Sequence, residues 1–405
     1  MTALIFDDYN DNEHQELQKI KKKSLDPTES AKKRSILRDL ILSFLVVGSV
    51  GNSTVPWTVL APVSTNTTRS SPEATIFYIA KDVAQIITSP FVGGLIDKIG
   101  PDIPYLCGGI TMFLSTVTLA FSKKPVFLLF ARISHGIGSA FTEISTITII
   151  ANMFTTTIVR SKCLGLVTVF ASFGLYLIVR RVDLAVLLLL ACMPLVNGIA
   201  AFRALFKLKA EEAKEFQTTK SAPISYFKIL IDPYIMICAG ALTVSNIPLT
   251  NGFFDFQIFT DDTAVLLFFA HTLGIAAAVQ LTIKFSNHRW LITLVGLILE
   301  GVSCFAIAFI DSKISLELIV SIIAFSVGMV RAAVLPTFAC IMEIRHAPIY
   351  GSVYAIASQF YSLAFVVSPM VGYLYLGPVG FTTIAVSMGL FSTMYAPILY
   401  FVRRF

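Results

Sequence analysis

The stretch ISLELIVSIIAFSVGMVRAAVLPTFAC, residues 314–340, decides how the rest of the chain is read. As an α-helix it extends about 40 Å, whereas a hydrocarbon core about 30 Å thick needs only about 20 apolar residues to cross it. One cation, Arg331, lies in its interior. Runs of this kind recur along the whole chain. The composition agrees: 405 residues, 55% hydrophobic, 14% charged, mean hydropathy +0.77. An ordinary soluble domain is about 45–50% apolar and about 25% charged, so a soluble globular protein is excluded and a polytopic α-helical membrane protein is expected.

Twelve spans are predicted, near Leu40–Val63, Thr75–Ile96, Ile103–Phe121, Val126–Ala151, Cys163–Val179, Leu184–Phe206, Pro233–Phe254, Thr263–Phe285, Trp290–Ile310, Ile314–Cys340, Gly351–Leu376 and Gly380–Val402. The one polar interruption of length contains KLKAEEAKEFQTTKSAP. The predicted organisation is therefore a tail (1–39), a six-helix bundle (40–206), a linker (207–232) and a second six-helix bundle (233–405). With the N-terminus in the cytosol, 22 of the 31 Lys and Arg fall in the tails and inner loops, 6 fall outside, and Lys81, Arg132 and Arg331 lie within spans. The rule that basic residues stay on the cytosolic side then predicts both termini, tail and linker to be cytosolic. This asymmetry accounts for the net charge of +6 without a nucleic-acid partner, although Lys19–Lys23 is also suited to touching anionic lipid.

No cleavable signal peptide is read, because mostly polar chain precedes the first span, which must itself act as the signal. All six cysteines fall in or beside apolar spans, so neither a structural disulfide nor a metal site is expected. Asn66-Thr67-Thr68 in the first outer loop matches the glycosylation sequon. Nothing in the chain has the pattern of a nucleophile constellation, a nucleotide loop or a bound cofactor, and a carrier rather than an enzyme is expected.

Several stretches carry a family resemblance. Gly93-Gly94-Leu95-Ile96-Asp97-Lys98-Ile99-Gly100 resembles the loop between spans two and three of the major facilitator superfamily. Ala131-Arg132-Ile133-Ser134-His135-Gly136-Ile137-Gly138-Ser139 resembles that superfamily's fourth-span motif with a buried arginine. Arg345-His346-Ala347-Pro348-Ile349-Tyr350-Gly351-Ser352-Val353-Tyr354-Ala355-Ile356-Ala357 is similar to the approach to the eleventh span of the vesicular amine and acetylcholine transporters. Ala80-Lys81, Gln85, Ser89-Pro90-Phe91-Val92-Gly93, Asp232-Pro233-Tyr234-Ile235 and Tyr395-Ala396-Pro397 support it in order. The resemblance implies a monomer with two bundles around a central pathway, Asp97 and Lys98 in a gating motif, and rocking about a midplane site. It also implies proton-coupled antiport of a small organic solute, of the neurotransmitter-carrying type, in a vesicle or other endomembrane.

The chain departs from this family where the family binds its ammonium ligand. The first span reads VVGSVGNSTVP with no acid, the seventh-span acid aligns with Phe253, the tenth-span aspartate with Arg331, and the eleventh-span acid with Ser358. The antiporter glycine-proline motif expected in span five is absent, as the chain runs Ala171-Ser172-Phe173-Gly174-Leu175-Tyr176 toward Arg180. Lys81 and Arg132 match family cations, whereas Asp82 and Glu143 are acids foreign to it. A charge at the bilayer centre costs at least about 2.5–3.5 kcal/mol unless paired or wetted, so pairing among Lys81, Asp82, Arg132, Glu143 and Arg331 is expected. With Ser358 and Tyr354 these form the candidate site, read either as a rewired site for an anion or zwitterion or as a network holding the bundles together. A non-transporting receptor or scaffold derived from the family is the alternative to a carrier. Glu300 in span nine has no obvious partner in the sequence.

Overall fold

A computed structural model describes residues 35–48, 72–122, 124–176, 184–213, 226–249, 261–285, 288–309, 312–375 and 381–403. Asn66 and Phe253 lie outside these residues, as does most of the N-terminal tail. Helix is described in every one of the twelve predicted spans: α1 (residues 35–48), α2 (Pro72–Ile99), α3 (Asp102–Phe121), α4 (Pro125–Met153), α5 (Thr157–Tyr176), α6 (Leu184–Ala213), α7 (Pro233–Asn246), α8 (Asp261–Lys284), α9 (Arg289–Ile307), α10 (Lys313–Arg345), α11 (Gly351–Tyr375) and α12 (Phe381–Tyr395). A 3-10 turn, Ala396–Val402, extends α12. Eight of these helices are long and apolar enough to cross a membrane. Outward-facing Phe91, Leu114, Val126, Leu273 and Met394 are more than half exposed, as side chains solvated by lipid are.

Local sequence sets the boundaries. Asp232 caps α7, its carboxylate accepting from the Tyr234 N–H at 3.0 Å, with Pro233 at the first helical position where a missing N–H costs nothing. Gly100 turns α2 into α3 with φ +90, a conformation other residues avoid, while its N–H closes on Ile96 O at 2.8 Å. The apolar runs understate two helices. α10 continues through Arg345 and α6 through Ala213, since a polar last turn emerging from lipid needs no apolar signal. The predicted linker accordingly begins as helix and ends in a single turn, Tyr226–Leu230.

Helix packing repeats at a shift of six. In the first half α3 lies against α4 and α6, and α2 against α4; in the second, α9 lies against α10 and α12, and α8 against α10. The halves meet along α2 with α11 and along α5 with α8. At Gly93 an added Cβ would stand 2.7 Å from the Ala355 Cβ, so glycine lets α2 and α11 touch backbone to backbone.

The apolar core differs between the two ends. Toward the end carrying the basic loops, one cluster runs through both halves, joining Val92, Ile96, Ile147 and Leu164 to Ile235, Phe338, Met342 and Tyr354. Toward the opposite end, among the described residues, two smaller clusters each belong to one half. Leu119, Leu128 and Ala131 belong to the first half, and Ile247, Leu267, Ile323 and Ile384 to the second.

Candidate functional site

Four helices bring the polar centre together. Glu143 on α4 accepts at one carboxylate oxygen from the Gln85 amide of α2 at 2.7 Å and from the Ser358 hydroxyl of α11 at 3.2 Å. Gln85 also donates to Ser358 at 2.9 Å. The other oxygen of Glu143 faces Arg331 Nη2 of α10 at 3.4 Å. That is longer than the roughly 2.7–2.9 Å of a well-made charged hydrogen bond. The Arg331 guanidinium lies 4.1 Å from the ring centre of Tyr361, a cation–π distance. The site thus draws on α2 and α4 of one half and on α10 and α11 of the other.

Lys81 pairs with its neighbour Asp82 at 3.1 Å, both largely buried. Of the five charges expected to pair, two pairs are seen: Lys81 with Asp82 and Arg331 with Glu143. Arg132 stands apart from Glu143. The two are separated by eleven residues of α4, about 16 Å, and Arg132 Nε donates to Phe77 O at 3.1 Å, tying α4 to α2. Tyr354 is fully buried one turn before Ser358, its hydroxyl 3.4 Å from Leu335 O, within the shared apolar core.

Asp97 crosses between halves. Its carboxylate accepts from the backbone N–H groups of Gly351 at 2.8 Å and Ser352 at 3.0 Å, and from the Ser352 hydroxyl. A negative charge at the start of α11 meets unsatisfied N–H groups and the positive end of the helix dipole, so α2 caps a helix of the other half. Lys98 is exposed.

Two further clusters at this end were not anticipated. Arg160 on α5 is 1% exposed in its side chain and bonds Glu343 of α10 at 2.6 Å and Phe154 O at 3.0 Å, while Tyr350 donates to the same Glu343 oxygen at 2.6 Å. Asp232 accepts from Arg345 at 2.7 Å and lies 2.9 Å from His346 Nε2. Burial alone would raise the Asp232 carboxyl, but hydrogen bonds from Arg345, His346 and the Tyr234 N–H hold it below the usual carboxylate range. The only signal available in the sequence was the alternation of acids and bases in Glu343-Ile344-Arg345-His346, which reads equally well as a loop. Glu300, fully buried on α9, does have a partner: the Ser392 hydroxyl of α12 donates to it at 2.9 Å. Among the described residues no His, Cys, Asp and Glu group is arranged to hold a metal, and the six cysteines are free thiols.

The model of the Major Facilitator Superfamily matches residues 40–369. The vesicular acetylcholine transporter of Drosophila melanogaster is 34% identical over 350 residues, covering 81% of this chain and 60% of that one. The vesicular acetylcholine transporter of Torpedo marmorata is 34% identical over 352 residues, covering 81% of this chain and 67% of its own length. The crystal structure of the human organic anion transporter MFSD10 (TETRAN) superposes with a TM-score of 0.67 over 90% of this chain and 99% of that one, at 14% identity, a likeness of fold alone.

Proposed function

Because the chain belongs to the major facilitator superfamily, as a divergent member of its vesicular amine and acetylcholine transporter family, we propose that it carries a small organic solute across a vesicle membrane by alternating access. The observation that carries this reading is the Glu143–Arg331 contact with Gln85 and Ser358, in which both halves converge on one buried polar site. Buried charges in membrane helices are costly and mark pathways by default. The basic end is taken as cytosolic and both termini as facing it. The two bundles are 40–206 and 233–405, and the protein works as a monomer. On this reading the cytosolic side is shut by the shared apolar core and by the Asp97 and Arg160–Glu343 ties.

Proton antiport follows the same residues. Breaking the Glu143–Arg331 contact releases α4 of one half from α10 of the other. The selectivity is altered from that of the relatives. At an effective dielectric of about 20, a unit charge 4 Å from another contributes on the order of 4 kcal/mol, so Arg331 opposes a monoamine where an aspartate would attract it. Uptake of amines, choline, organic anions and amino acids into proteoliposomes, with and without a pH gradient, tests the proposal. Uptake of at least one class is expected to respond to the gradient. A flat result across the panel would favour a receptor or scaffold, the reading that the four missing family acids support.

A further inference from the structure

The solute class can be narrowed, on the premise that the Glu143–Arg331 region is the carrier's binding site. We propose that the site takes a zwitterion with ammonium and carboxylate on one carbon, an α-amino acid, which inserts between Arg331 and Glu143. The solute's carboxylate replaces Glu143 on the guanidinium, and its ammonium is taken up by the Glu143 oxygen so released.

Charge balance is the first argument. Lys81, paired with Asp82, stands one helical turn before Gln85, which bonds Glu143, the partner of Arg331, so two cations and two anions share one neighbourhood. A solute bearing a lone charge unbalances this set and meets a like charge beside its partner. A zwitterion leaves it neutral. Geometry is the second. The Arg331–Glu143 contact is a single long one at 3.4 Å, and a guanidinium has five N–H donors in a fork suited to a carboxylate. Glu143 need not move when the contact breaks, because Gln85 and Ser358 hold its other oxygen at 2.7 and 3.2 Å. One oxygen stays anchored while the other changes partner. Adjacency is the third: acid and base already touch, so the solute that bridges them must carry its two charges side by side. Tyr361 lies against Arg331, and Phe365, its ring centre 5.0 Å from that of Tyr361, extends an aromatic surface for the solute's side chain.

The test uses purified full-length protein and two sets of matched probes, binding being read by thermal shift and by displacement. The first set is tyrosine, tyramine and 3-(4-hydroxyphenyl)propionate; the second is leucine, 3-methylbutylamine and 4-methylpentanoate. In at least one set the amino acid is expected to bind at least tenfold more tightly than both its amine and its acid. Glu143→Gln removes the internal competitor, so the acid should gain at least tenfold and the amino acid lose its advantage. Arg331→Gln should instead favour the amine. Failure of the amino acid to reach that advantage in both sets, or no binding of any probe, overturns the proposal, as does a Glu143→Gln protein that folds with an unchanged acid-to-amino-acid ratio. The two readings fail separately: amine binding with gradient-driven amine uptake keeps the carrier and removes the zwitterion, whereas amino-acid binding with flat uptake does the reverse.

Discussion

Replacing Glu343 by glutamine should open the cytosolic side. The pair it forms with Arg160 spans 2.6 Å, and Arg160 is 1% exposed against 33% for Glu343. At an effective dielectric of about 20 the gross attraction is about 6 kcal/mol. Much of this is offset, because the carboxylate gives up hydration to make the bond and glutamine retains one acceptor, leaving a net loss of about 2 kcal/mol. Arg160 keeps its bonds to the Phe154 and Thr155 carbonyls, so α5 itself stays folded. The loss therefore falls on the equilibrium between the closed and open cytosolic sides. About 2 kcal/mol corresponds to about a thirtyfold shift. Ser358 lies behind the shared core and is 3% exposed, so Ser358→Cys in a cysteine-free background reports the opening. A membrane-impermeant thiol reagent added to the cytosolic face of sealed vesicles should label it about thirty times faster with Glu343→Gln than without. An unchanged rate, in a protein whose melting temperature has fallen, would mean that the pair stabilises the helices without gating them.

Asp97→Asn should destabilise the purified protein by about 0.5–2 kcal/mol, the scale of a charged cap at a helix start, and a melting temperature equal to wild type would contradict the capping role. Asp232 has a lowered carboxyl pKa in the fold, so its contribution to stability is present above the ordinary carboxylate value of 3.8 and is lost as pH falls through the folded value. Asp232→Asn should accordingly lower the melting temperature at pH 7, with the gap from wild type closing only below about pH 4; a gap independent of pH would refute the ionic account. Epitope tags at the two termini should both be open to protease on the cytosolic face of sealed vesicles, and one protected tag would overturn the orientation.

The spans were legible because lipid imposes a length and an apolarity that appear directly in the chain. Their ends were less so: the last turn of α10, with Glu343 and Arg345, is polar and helical together. The site was legible as a set of charges but not as a set of pairs. Cost alone says that Lys81, Asp82, Arg132, Glu143 and Arg331 need partners, yet who pairs with whom depends on how α2, α4, α10 and α11 are rotated and staggered. Arg132 sits about three turns from Glu143 on the same helix and turns to the Phe77 carbonyl instead. Arg160, read as one more topology-setting cation, is among the most buried side chains described, because its partner Glu343 comes from the other half of the chain. Such long-range meetings leave no periodicity to read.

The six-helix repeat gives the central pair a special position. Glu143 stands eighteen residues into α4 and Arg331 eighteen residues into α10, the equivalent helices of the two halves. Halves related in this way share a pseudo-twofold axis along the membrane normal, and atoms close to such an axis travel least when one half tilts against the other. If the halves rock as proposed, Asp97, Arg160 and Glu343, which tie them together at the basic end, part at each turnover. On the proposed mechanism Glu143 and Arg331 serve as a fulcrum: a solute lodged between them is not transferred from hand to hand but stays nearly still, while the protein exchanges the door behind it for the door in front.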